Sequence, residues 1–154
     1  MVRAISRRLA DEMPEVRLVS FGGTGTDLPP KMEQRGKISQ QHAAELYANS
    51  SVFLEASESQ GFGLQGLETM GSGSVLVSTK NRGIDNYGKH EKNCLLIDVN
   101  DSDAAFNAIK RALNDEDLRK KLIANGRKTA LDHDWWRIAE KHADFYGRVL
   151  RDEI

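Results

Sequence analysis

Four short apolar runs divide this chain: VRLVSFG at 16–22, SVFLEAS at 51–57, SVLVST at 74–79 and NCLLIDV at 93–99. Each has the length of a strand, and segments with helical periodicity stand between them. Strands separated by helices do not pair as hairpins; they pair in parallel through crossover connections. The pattern predicts an α/β fold, a three-layer, Rossmann-like open parallel sheet with helices on both faces. Four strand candidates are few for a doubly wound sheet.

The segments between and beyond the strands carry the helix signals. Residues 2–12 predict a helix with Ile5 and Leu9 on one face, and SQQHAAELYANS (39–50) predicts another with Ser39 as its N-cap. GGTGTDLPP (22–30) is a loop by composition, and RGIDNYG (82–88) a turn or a very short helix. Beyond residue 99 the strand signals stop. Phe106, Ile109 and Leu113 mark a helical face that Asp101 or Ser102 can cap. Leu118 and Leu122 line a second helix, expected to end near Gly126. Trp135, Ile138, His142, Phe145 and Val149 line a third, whose aromatic residues are expected to cover the core, with Trp135 or Trp136 the candidates to remain partly exposed. A doubly wound lobe usually opens on a strand, whereas this chain opens on a helix. The reading is of a fragment without its first strand, with an edge or flank of the core exposed and prone to self-association.

The bulk numbers remove several function classes. A chain of 154 residues supports one domain with a core of its own. With 39% hydrophobic and 29% charged residues it reads as a soluble globular protein. A formal net charge of -1 provides no electrostatic footprint for nucleic acid, which is not expected as a partner. The single cysteine, Cys94, lies in an apolar run and reads as a buried structural thiol. No apolar stretch approaches the ~20 residues of a membrane span. The opening MVRAISRRLADEMPE lacks the continuous apolar region of a signal peptide. The expected location is the cytoplasm or a cytoplasmic membrane face. His42, His90, His133 and His142 form no clean metal cluster, and surface or interface positions account for them.

The chemistry-bearing stretch is SQGFGLQGLETMGSG at 59–73, with five glycines in fifteen positions. It follows a strand candidate, and in open parallel sheets ligands bind beyond the carboxyl ends of the strands. A helix starting near Leu64 or Gln65 leaves unpaired N–H groups suited to a phosphate, and Gly61 and Gly63 let backbone approach a ligand closely. Glu68, about one turn further, can accept hydrogen bonds from hydroxyl groups. Phosphate and polyol together suit a nucleotide or a nucleotide-sugar. The plainer alternative is tight packing at the helix start, with Gly71 and Gly73 ending the helix. GFGLQG (61–66) also has the dinucleotide spacing, but it comes late in the lobe, and Asp85, 19 residues on, falls in a turn-like segment. A dinucleotide site therefore ranks low.

These stretches, taken in order, resemble one family over nearly the whole chain: PEVRLVSFGG (14–23), ELYANSSVFLEASESQGFGLQGLETMGSG (45–73), VLVSTKNRGIDNYG (75–88), HEKNCLLID (90–98) and HDWWRIAEKHADFYGRVL (133–150). The chain looks like the nucleotide-sugar-binding C-terminal lobe of the retaining glycosyltransferases called group 1 or family four, which have two Rossmann-like lobes facing a cleft (the GT-B architecture). The resemblance implies hexose transfer from a nucleotide diphosphate sugar to a hydroxyl acceptor, with retention and with no metal or other cofactor. It divides the chain into a donor-binding lobe, 1–132, lacking its first strand, and a terminal helix, 133–154, that crosses back toward an N-terminal acceptor lobe.

By the same resemblance, Glu68 holds the ribose hydroxyls of the donor. Backbone of Gly61, Phe62, Gly63 and Leu64 lies beside the sugar and phosphates. The family's other glutamate falls on Gln60, which hydrogen-bonds but carries no charge. Gln60 and Glu68 are thus the implied catalytic pair. The family also supplies an arginine and a lysine for the diphosphate, upstream of where this chain starts; no residue here matches them, and Arg3, Arg7 and Arg8 on the opening helix are not promoted to that role. The fragment alone is expected to be inactive. Part of a GT-B-like epimerase, or a non-catalytic nucleotide-sugar-binding or regulatory module paired with another chain, remain the alternatives. Peripheral membrane contact of the whole enzyme has only weak support from the closing helix.

Overall fold

In the computed structural model, which describes residues 1–23, 29 and 31–153, the elements run α1 (Val2–Glu12), β1 (Leu18–Ser20), β2 (Met32–Gln34), α2 (Gln40–Ala48), β3 (Val52–Glu55), α3 (Leu64–Ser72) and β4 (Val75–Thr79). A 3₁₀ turn (Ile84–Asn86) follows, then β5 (Leu95–Ile97), α4 (Ser102–Asn114), α5 (Glu116–Asp132) and α6 (Trp135–Leu150). Most of the expected loop at 22–30 lies outside the described residues.

β4 explains the layering. It is buried along its whole length, which is why SVLVST reads as an unbroken apolar run. Successive side chains of a strand point to opposite faces. Val75 and Val77 accordingly enter one core with Ile5, Leu9, Leu95, Ile97, Phe106 and Ile109. Leu76 enters a second core with Leu67, Met70, Ile84, Tyr87 and Cys94. The first core lies under α1 and α4, the second under α3 and the later part of α5. This is the α/β/α, Rossmann-like arrangement expected, and every strand pair is parallel. Arg8 ties α1 to α4: its guanidinium bonds Asp103 at 2.7 Å and lies 3.8 Å from the centre of the Phe106 ring.

The sheet departs from expectation in one respect. β2 is a fifth strand that the sequence reading passed over, since three residues, MEQ, carry no alternation or apolar run. It pairs with β1, while β3, β4 and β5 form a separate three-stranded sheet in that order. The single open sheet expected is thus divided between β1 and β3. A second correction concerns Gly126. α5 continues six residues past it to Asp132. A Cβ at Gly126 would stand 3.2 Å from Cγ of Met70, so this glycine serves the close approach of α5 to α3 and does not end a helix.

The third correction is α6. No residue of α6 is buried. Trp135 is 75% and Trp136 81% exposed, and Phe145, Tyr146 and Val149 are exposed as well. The aromatic residues do not cover the core. Amphipathic spacing reveals that a helix has an apolar face but not what that face meets.

Candidate functional site

β3 delivers the chain at Glu55 into the glycine segment, and α3 opens at Leu64. Gly63 is the N-cap in the left-handed region, φ 80°, and no side chain caps the helix. The amino-terminal amides of α3 therefore meet the loop Gln60–Gly63 without a side-chain acceptor, an arrangement that favours an anion. Phe62 and Leu64 are exposed beside it. Glu68 is exposed one turn further along α3, about 6 Å along the axis from Leu64 at 1.5 Å per residue. The structure thus brings Gln60, Gly61, Phe62, Gly63 and Leu64 onto one loop and helix start, with Glu68 on the same helix.

What holds this loop was not legible in the sequence. Glu55 is only 6% exposed, and four donors converge on its carboxylate. Oε1 accepts from the Ser57 amide (2.9 Å) and from Gln60 Nε2 (3.4 Å). Oε2 accepts from Ser78 Oγ (3.1 Å) and Asn81 Nδ2 (2.6 Å). Asn81 in turn accepts from the Ile84 amide at 3.1 Å, which starts the 3₁₀ turn. A buried carboxylate with this many donors is fully satisfied, so Glu55 is a hub joining β3, β4 and the 82–88 segment. Gln60 also donates to Ser57 Oγ at 3.0 Å, so its amide nitrogen is committed to the protein.

On the other side, the Tyr87 hydroxyl donates to the Gly63 carbonyl at 2.5 Å. Burial, then Glu55 and Cys94, push the Tyr87 phenol well above its ordinary range, so it remains a protonated donor. The Phe62 ring stands 5.8 Å from Tyr87 and 6.2 Å from His133, and those two rings are 6.0 Å apart. His133, assigned from sequence to a surface or interface position, is a half-buried member of this aromatic cluster. A Cβ at Gly83 would stand 2.9 Å from Gln60 Cβ and from the Phe62 carbonyl carbon, so RGIDNYG packs directly under the glycine loop. A single-sequence signal for these supports would have been a carboxylate, Glu55, closing the apolar run of β3, with Asn81 two residues past the end of β4. Among the described residues no group of three or more potential metal ligands gathers.

Comparison with known proteins agrees with this fold. Residues 24–129, more than half of the chain, match the family described as glycosyl transferases group 1. The putative glycosyltransferase EpsD of Bacillus subtilis is 31% identical over 92% of this chain and 40% of its own length. An N-acetyl-alpha-D-glucosaminyl L-malate synthase of Bacillus anthracis is 30% identical over 74% of the chain and 30% of its own length. The chain therefore spans less than half of the curated relatives it matches. Among solved structures, the sucrose-phosphate synthase of Thermosynechococcus elongatus superposes with a TM-score of 0.79 over 99% of this chain and 44% of its own, at 22% identity. Anabaena HepE, solved with UDP and glucose, gives 0.80 over 94% and 44%, at 19% identity. At such identities these likenesses establish the fold, one lobe of a two-lobed GT-B architecture. With the family match they lead to one assignment: the chain belongs to the group 1 glycosyl transferases.

Proposed function

We propose that this chain is the donor-binding lobe of a retaining glycosyltransferase: it seats a nucleotide diphosphate sugar whose hexose passes to a hydroxyl acceptor held by a lobe outside these 154 residues. One observation carries the reading. The uncapped amino end of α3, behind a left-handed Gly63, opens at the carboxyl end of β3 with Glu68 exposed one turn along. The diphosphate takes the helix amides and the favourable end of the helix dipole. Glu68 accepts from the ribose hydroxyls. Gln60 and the backbone of Gly61–Leu64 flank the sugar. That HepE was solved with UDP and glucose supports this class of ligand.

Catalysis on this reading is positioning plus stabilisation of the leaving diphosphate as the anomeric carbon–oxygen bond breaks. The helix terminus supplies part of that stabilisation, cationic side chains outside this chain supply the rest, and no metal or other cofactor is required. Gln60 replaces a carboxylate, and its amide is already held by Glu55 and Ser57. This observation favours a second reading, a nucleotide-sugar-binding module without turnover of its own. α6, with its exposed aromatic face, would cross back to the acceptor lobe. The location that goes with this function is the cytoplasm or the cytoplasmic face of a membrane; no described helix is long and apolar enough to cross one.

The test is a titration of the folded chain with UDP, GDP and ADP, their hexose conjugates and a dinucleotide, followed by amide NMR shifts. Saturable shifts at Gly61–Leu64, lost in Glu68→Ala, are expected. Gln60→Ala is expected to weaken the hexose conjugate more than the bare diphosphate, since it faces the sugar. A folded sample that binds none of the panel overturns the proposal for this chain.

A further inference from the structure

Gln60 stands where the resemblance implies a carboxylate, and its neighbours decide which end of its amide is left for a ligand. Nε2 donates to Ser57 Oγ at 3.0 Å and to Glu55 Oε1 at 3.4 Å. Ser57 alone cannot fix the sense of the amide, because a hydroxyl both donates and accepts. Glu55 can, because a carboxylate only accepts. Its remaining bonds agree: Oε1 also takes the Ser57 amide, and Oε2 takes Ser78 Oγ and the NH2 group of Asn81. The sense of Asn81 is fixed in turn, since its Oδ1 accepts from the Ile84 amide. Gln60 Oε1 is therefore the free end. Among the described residues only Ser20 Oγ and Ser74 Oγ are buried polar side-chain atoms without a partner. Gln60 Oε1 has no partner in the chain either, so it is open to solvent.

We propose that Glu55 is a positioning residue: it fixes Gln60 with its amide oxygen outward, as the acceptor for a hydroxyl of the donor hexose. The buried carboxylate lies behind the amide, and hydrogen bonds in series polarise one another, so the outward oxygen is a stronger acceptor than that of a free glutamine. Glu55 and Gln60 together thus present what a carboxylate at position 60 would: an acceptor backed by a negative charge, set one side chain deeper. The inference rests on the donor-binding reading and adds a consequence to it. Position 60 of this chain should not tolerate the glutamate that the resemblance implies. An acidic oxygen in the place of Nε2 would face Glu55 Oε1 at the same 3.4 Å, and like charges that close disfavour each other's ionised form. Glu55 itself is a poor place for the test, because its loss leaves the Ser57 amide and Asn81 without an acceptor.

The experiment reads the ligand-free chain first. By heteronuclear NOE the Gln60 side-chain NH2 should be as ordered as the backbone around it, unlike that of the exposed Gln40. UDP and UDP-glucose are then titrated into the wild type and Gln60→Glu. At about pH 8 the variant is expected to bind UDP-glucose about tenfold more weakly, with UDP changed by less than about threefold. At about pH 5 the charge of Glu55 favours the protonated form of the introduced carboxyl, whose O–H takes over the bond to Glu55. Binding of UDP-glucose should then return to within about threefold of wild type at the same pH. A merely structural role for Glu55 gives no such difference between the two pH values. Equal or tighter binding of UDP-glucose by Gln60→Glu at about pH 8 overturns the proposal. So does a Gln60 NH2 as mobile as that of Gln40 while UDP-glucose still binds, an outcome that leaves the donor-binding reading standing. Binding of neither UDP nor UDP-glucose overturns that reading and the hexose contact with it.

Discussion

A methyl group at Gly66 would overlap the hydroxyl of Tyr87 and stand 3.0 Å from Cδ2 of Leu76. Both neighbours are buried, at 4% and 0% exposure, and Tyr87 is bonded to Gly63, so neither can give way freely. Alanine would gain about 1 kcal/mol of helix propensity, but overpacking of a core site costs about 1–3 kcal/mol. Gly66→Ala is therefore expected to be destabilising in urea titrations and to move the Gly63 amide shift, because the Tyr87 bond is displaced. A second residue effect is a matter of pH. Burial raises the Cys94 thiol to about 12, above its ordinary 9.0. In the unfolded chain the thiol ionises first, so the folded state binds more protons in between. Stability present below about pH 9 is then lost as pH rises toward about 12. Urea midpoints should fall across that alkaline window, less steeply in Cys94→Ala, and Cys94 should resist maleimide until the protein unfolds.

Elements here owe their ends to single side chains. Asp115 is both the C-cap of α4 and the N-cap of α5, and its carboxylate accepts from the Leu118 amide at 2.9 Å. Asp115→Ala should cost about 1 kcal/mol, the usual worth of such a cap, while Asp115→Asn should be close to neutral. Chemical denaturation of the two variants side by side checks this. Ser39 and Asp101 cap α2 and α4 in the same way, through the amides of His42 and Ala104. Asp115 was not named as a cap, whereas Ser39 was legible as one ahead of an apolar period and Asp101 as one of two candidates. The end of α5 was not: a glycine past two leucines reads as a stop signal, and only the approach of α3 shows that Gly126 belongs inside the helix.

At the scale of the molecule, stability and exposed apolar surface are separated. None of α6 is buried, so truncation after Asp134 should change unfolding free energy by no more than about 0.5 kcal/mol, measured by far-UV circular dichroism in urea. Both tryptophans lie in α6 and are largely exposed. Tryptophan emission of the intact chain should consequently shift little on unfolding, even as the helical signal collapses. Coincident transitions of equal amplitude in both signals would show that α6 packs on the core in solution.

Apart from β2, the sequence by itself determined the kinds of element and their order, and it put the glycine loop between β3 and α3. Helix and strand periods, cap residues and glycine positions are local, and local energetics dictate them. Gly61, Gly63 and Glu68 were named on that basis and Gln60, Phe62 and Leu64 through the family resemblance; the structure puts them on one loop and one helix. Only the tertiary structure decided what crosses between elements: the carboxylate of Glu55 gathering four donors, the Phe62–Tyr87–His133 cluster, the bare face of α6 and the split between β1 and β3. Each depends on residues far apart in the chain meeting in space. A hydrophobic period records that a face must be buried, and the fold alone determines which partner, if any, buries it.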